Sequence, residues 1–139
     1  MGLLAEMAAV YEKPGVETGY VYVMEFRFRS KLDNVKVLYK VGVTKNKPVD
    51  RMLEIARSFF MKRRYIPECR LVRFRKVVGY YGLETQLHRA LVNYRYDFGK
   101  LVFGGSSEFF DVDLDYLDNL YCEAVPLVKD YVIHSKLPK

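Results

Sequence analysis

Residues 38 to 44 read LYKVGVT. A strand covered on both faces appears in sequence as a nearly continuous apolar run, and Leu38, Tyr39, Val41 and Val43 have that character. Lys40 interrupts the run two positions before Gly42. Upstream, GYVYVMEFRFR from Gly19 to Arg29 is aromatic and β-branched and predicts another strand. SKLDN between the two is turn chemistry, so they form a hairpin. Tyr22 and Lys40 share a face of that hairpin only if the register sum is even, which requires an odd-length loop or a bulge around residues 29 to 33.

Downstream, Pro48 suits the first position of a helix, and Met52, Ile55, Ala56 and Phe59 follow at helical spacing, ending before KRRYIPE. CRLVRFRKVV predicts a third, partly solvated antiparallel strand, with Leu71, Arg73 and Arg75 on one face and Val72, Phe74 and Val78 on the other. GYYGLETQLHRALVNYRY returns to helical spacing through Leu83, Leu87, Ala90, Leu91 and Tyr94, with Glu84, His88 and Arg95 on a neighbouring face. The glycine-rich DFGKLVFGGSSEFFDVD predicts a loop or short hairpin closing on Phe109 and Phe110. Residues 113 to 133 predict an acidic helix bent at Pro126. The expected class is α+β: a small three-stranded antiparallel sheet flanked by helices, with an additional C-terminal helix. Its expected parts are an N-terminal extension (1–18), a core (19–112) and an acidic segment of the same domain (113–139).

A chain of 139 residues holds one domain with one core. Half its residues are hydrophobic and 29% are charged, which excludes a disordered chain. Cys69 and Cys122 have no CxxC spacing and form no zinc pattern with His88 and His134. MGLLAEMAAVYEK has no basic leader and carries Glu6 in its apolar run, so the expected protein is intracellular and soluble, cytoplasmic or in the host cell of a virus, without membrane contact. Charge is segregated: residues 51 to 100 hold 12 Lys/Arg against 4 Asp/Glu, and residues 101 to 139 hold 3 against 7. A basic middle third is the footprint of phosphate binding, although a solvated basic surface has the same composition.

The order β, β, α, β, α, with GYVY at residues 19 to 22, YKVG at 39 to 42, VDRMLE, LETQLH and SEFF, resembles the GIY-YIG nuclease superfamily. It is closest to the phage, viral and restriction-enzyme branch, in which lysine replaces the second motif tyrosine. By position, the resemblance implies Tyr22 as the first motif tyrosine, Lys40 as the substitute, Gly42 as the close-packing structural glycine, Arg51 as the helix arginine and Glu84 as the metal carboxylate. Where the family often carries a histidine one turn beyond the arginine, this chain has Ile55, which shifts water activation to Tyr22 and Lys40.

The implied activity is divalent-metal-dependent hydrolysis of DNA phosphodiesters, the sequence alone not separating DNA from RNA. Such chemistry needs an activated water in line with the leaving oxygen and positive charge facing the phosphate oxygens. Lys40, desolvated beside Arg51, would have a lowered pKa and help Tyr22 activate the water. Arg51 would clamp a phosphate oxygen, and Glu84 would hold Mg²⁺ or Mn²⁺. Glu108 is a rival for the metal, and His88 is expected to contact the phosphate or the metal's water. Lys62, Arg63, Arg64 and Arg95 are expected to contact backbone phosphates.

Each residue also has an ordinary structural explanation. Tyr22 can be a core tyrosine, Lys40 a guard on a strand edge, and Arg51 a partner of Glu54 or Asp50. A second reading is therefore a catalytically idle member of the fold that binds nucleic acid or a partner protein in a viral or defence system. In a third, the acidic C-terminal segment docks a basic partner or a second copy of the chain.

Overall fold

The computed structural model describes residues 18–30 and 34–125; residues 1–17 of the expected extension, residues 31–33 of the turn, and Pro126 onward lie outside the described residues. Strands β1 (Thr18–Arg29) and β2 (Val35–Thr44) are followed by helix α1 (Pro48–Arg63), strand β3 (Glu68–Val78) and helix α2 (Tyr80–Ala90). A two-residue strand β4 (Phe109–Phe110) and helix α3 (Leu114–Ala124) complete them. The sheet is antiparallel with order β3-β1-β2-β4, four strands rather than the three expected. β4 pairs Phe110 with Tyr39 and Phe109 with Lys40. Two aromatic residues behind a glycine-rich stretch have no alternation to read, so the fourth strand was hidden.

Tyr22 pairs with Gly42 and Met24 with Lys40, so the register sum is even and Tyr22 and Lys40 are diagonal neighbours on one face. Five residues, 30 to 34, separate Arg29 from its partner Val35, and the Ser30 amide closes the turn on the Asn34 carbonyl at 2.9 Å. Against β3 the register shifts between Val23 and Met24. The extra β3 residue reverses which side chains face which way. Arg73, Arg75 and Val77 lie on the face of Val21 and Val23, whereas Leu71 and Cys69 join Met24 and Phe26. Leu71 therefore does not share a face with Arg73 and Arg75, contrary to the plain alternation of the sequence.

Both sheet faces are covered, which produces two apolar clusters instead of one core. On one face Val21, Val23, Tyr39 and Val41 meet Tyr80, Leu87 and Leu91 around α2, and Leu117 and Tyr121 of α3. On the other, Tyr22, Met24, Phe26, Phe28 and Leu38 meet Ile55 and Phe59 of α1, Phe103 and Phe109. Phe26 is the hub of the second cluster, with the rings of Phe28, Phe59, Phe103 and Phe109 at centroid distances of 4.9–5.9 Å. Burying such a ring contributes about 1.5–3 kcal/mol, so β1 is anchored from both sides.

The helix ends follow local chemistry. Pro48 opens α1, where its missing N–H costs no helical bond, and Arg64 stops it in the left-handed region (φ 64°) with its amide on the Phe60 carbonyl. Asp113 caps α3 by accepting from the Tyr116 amide. One acid of the last helix and the helix's C-terminal end are held by β3. Arg73 forks onto Asp118 at 2.5 and 3.1 Å, Arg75 donates to the Val125 carbonyl at 2.7 Å, and the buried Tyr121 hydroxyl donates to the Val21 carbonyl at 2.5 Å.

Candidate active site

Lys40 is 1% exposed in the interior of the sheet, which removes the edge-guard explanation. Its ammonium lies 2.6 Å from Glu108 Oε1 and 5.3 Å from the centroid of the Tyr22 ring. Lys40 is thus paired with a carboxylate. Tyr22 is fully buried, and its hydroxyl has no hydrogen-bond partner among the described residues. Such an orphan costs about 1–3 kcal/mol, a cost tolerated where the group has another task. Gly42 explains how the two side chains converge. A Cβ there would stand 2.5 Å from Lys40 Nζ and 2.6 Å from the Tyr22 hydroxyl oxygen, so any other residue would push both aside.

α2 brings Glu84 and His88 to the same place, one turn apart on one helix face. One potential ligand atom from each of Glu84, His88 and Glu108 lies within 4.8 Å of the others, and all three residues are partly buried. His88 Nε2 donates to the Val41 carbonyl at 2.6 Å, which leaves Nδ1 as the free ring nitrogen. Burial and then the neighbouring Glu108 carboxylate push the Glu84 carboxyl up to about 7, with Lys40 opposing the shift. Two carboxylates and an imidazole are a donor set for a hard or borderline divalent cation, and repulsion between the carboxylates is what a cation would relieve. The residues present therefore fit Mg²⁺ or Mn²⁺. Glu84 and Glu108, alternatives in the sequence, stand side by side.

Arg51 lies in an adjoining polar groove with Tyr20, Thr44, Lys47 and Lys76, and its guanidinium pairs with Glu54 at 3.2 Å. Lys62, Arg63 and Arg64 lie about 16–20 Å further along α1, at 1.5 Å per residue. There Arg63 donates to the Arg29 carbonyl at the hairpin end. Arg95 is exposed and its backbone bridges Phe110. The basic middle third is not a free phosphate-binding surface throughout, because Arg70 pairs with Glu25, Arg73 with Asp118 and Arg75 with the end of α3.

Two contributors had no readable role in the sequence. Gly105 (φ 76°) presses so closely on Lys40 that a Cβ there would collide with Cε, and the Gly104 amide donates to Ser58 Oγ on α1 at 2.7 Å. The GGSSE stretch is therefore a cover over Lys40 that also delivers Glu108; the covering role is signalled only by a glycine pair three residues before the acid of SEFF. The Val41 carbonyl that fixes the His88 ring has no side-chain signature at all.

No helix among the described residues is long and apolar enough to cross a membrane. Comparison with curated proteins and with solved structures gives no match. A family model described as the T5orf172 domain matches residues 19–124, which takes in all of the sheet but Thr18, the three helices and every residue of the site. The match spans most of the chain, and the protein belongs to the T5orf172 domain family, a phage-associated family of nuclease-like domains.

Proposed function

We propose that this chain is a divalent-metal-dependent endonuclease of the GIY-YIG type that hydrolyses DNA phosphodiesters. The observation that carries the reading is the convergence of the orphaned Tyr22 hydroxyl and the Lys40 ammonium over Gly42, beside the Glu84, His88 and Glu108 cluster. Glu84, Glu108 and the free nitrogen of His88 would hold Mg²⁺ or Mn²⁺, which when bound supplies positive charge for the departing oxygen.

The Tyr22 hydroxyl orients the attacking water, and the Lys40 charge lowers the cost of its losing a proton to solvent. As the new P–O bond forms, the ester P–O bond opposite it breaks, and the departing oxygen takes a proton from solvent. Phosphodiester and water become phosphomonoester and alcohol. Arg51, turned from Glu54 onto a phosphate oxygen, balances the added negative charge.

The test is conversion of supercoiled plasmid to nicked circle in Mg²⁺, in Mn²⁺ and in EDTA, with Glu84→Gln beside the wild type. Nicking in either metal, abolished by EDTA and reduced at least 100-fold by Glu84→Gln, is the expected result. Equal nicking by wild type and variant would refute the assignment. One observation favours a binding-only module instead: Lys40 is almost wholly buried and tied to Glu108. Retained DNA binding without cleavage in any metal would select that reading.

A further inference from the structure

On the sheet face that carries Tyr22, the bulge in β3 aligns two rows of side chains. One row runs Phe74, Tyr22, Gly42 and the next Lys76, Tyr20, Thr44. Phe74 lies on the edge strand and is 51% exposed, whereas Tyr22, Phe26, Phe28 and Tyr39 of the inner strands are buried, and its ring meets the partly exposed Tyr20 edge to face at 6.1 Å. It is the immediate cross-strand neighbour of Tyr22, one strand spacing or about 5 Å away. Exposed single aromatics are ordinary on protein surfaces. This one stands beside a groove that Lys76, Lys47 and Arg51 line together with Tyr20, their charges outnumbering those of Asp50 and Glu54 in the same lining. Arg70, Arg73 and Arg75 of the same strand are engaged by the protein's own acceptors, whereas Lys76 is exposed and directly opposite Tyr20.

We infer that the Phe74–Tyr20 pair is a stacking platform for one unpaired base of the substrate strand, with Lys76 and Lys47 on the phosphates flanking it. The inference deepens the nuclease reading and rests on it for the class of ligand. A base in a duplex is already stacked on both sides, so only an unpaired or extruded base can lie on the Phe74 ring. The cations bind any sequence, and the ring selects strand state rather than base identity. The closeness of Phe74 to Tyr22 places that base next to the phosphodiester being cut. The substrate is accordingly single-stranded, or distorted at the cut site.

The test is fluorescence anisotropy in EDTA, where cleavage is silent, using a labelled single-stranded oligonucleotide and the duplex of the same sequence. Phe74→Ala should weaken single-strand binding roughly 5- to 100-fold, the equivalent of losing one stacked base, and duplex binding less than about twofold. Phe74→Tyr should bind like the wild type, and Phe74→Leu, which keeps apolar bulk but removes the ring, should lose single-strand binding selectively and serves where Phe74→Ala folds poorly. Lys76→Gln should weaken both ligands and lower the salt slope by about 0.7–0.9. Equal loss on both ligands in Phe74→Ala, or no loss, overturns the platform, as does an absence of single-strand binding by the wild type. A protein that binds in this pattern yet never cleaves refutes the nuclease reading and leaves the platform standing.

Discussion

Lys40 and Glu84 carry opposite charges on neighbouring elements, and each is placed at some cost to stability. An ammonium inside a sheet is tolerated only with a partner, which Glu108 provides. Glu84 is less well compensated: burial and the Glu108 carboxylate hold its pKa near 7 instead of 4.5. A folded-state pKa above the unfolded one favours the protonated protein. Its contribution to stability is complete below about pH 4.5 and is lost as pH rises through about 7. In EDTA the melting temperature of the wild type should therefore fall between pH 5 and pH 8 by more than that of Glu84→Gln, which cannot ionise. Parallel pH profiles for the two proteins would show that Glu84 is not held in this environment.

At the scale of elements, β1, β2, α1 and α2 were legible because each is long enough for its period to repeat. Pro48 marks the start of α1, and Leu83, Leu87 and Leu91 mark the buried side of α2. β4 was not legible, because Phe109 and Phe110 become a strand only through pairing with Tyr39 and Lys40. The bulge was equally silent. One extra residue leaves the alternation of CRLVRFRKVV intact in sequence while turning Leu71 and Cys69 toward α1 and Arg73 and Arg75 toward α3. Cys69 reports on that turn, since burial raises its thiol to about 11, whereas Cys122 on α3 is exposed. Iodoacetamide at pH 8 should modify Cys122 well before Cys69, as mass spectrometry of the peptides would show. Equal rates would contradict the register shift.

For the whole molecule, net charge was a poorer guide than the order of motifs. The basic middle third suggested a broad phosphate-binding surface, and within it Arg70, Arg73 and Arg75 are engaged by the protein's own acceptors. One acid of the last third, Asp118, is neutralised against β3, and Arg75 of the same strand reaches the Val125 carbonyl. The order of GYVY, YKVG, VDR, LET and SEF carried more, because residues scattered over four elements meet only in this topology. Tyr22, Lys40, Gly42, Glu84, His88 and Glu108 came together; Lys62, Arg63 and Arg64 did not, since distance along a helix cannot be judged without knowing which end adjoins the site.

The central claim is that Lys40 is buried for chemistry and not for stability. Lys40→Met keeps the length and apolar stem of the side chain and leaves Glu108 partly solvated, so its cost to stability should be about 1–2 kcal/mol. The decisive measurement is the single-turnover rate of plasmid nicking by Lys40→Met and wild type in Mn²⁺, at a temperature where both are folded by circular dichroism. A rate at least 100-fold lower in the variant is the result predicted; an undiminished rate would contradict the account.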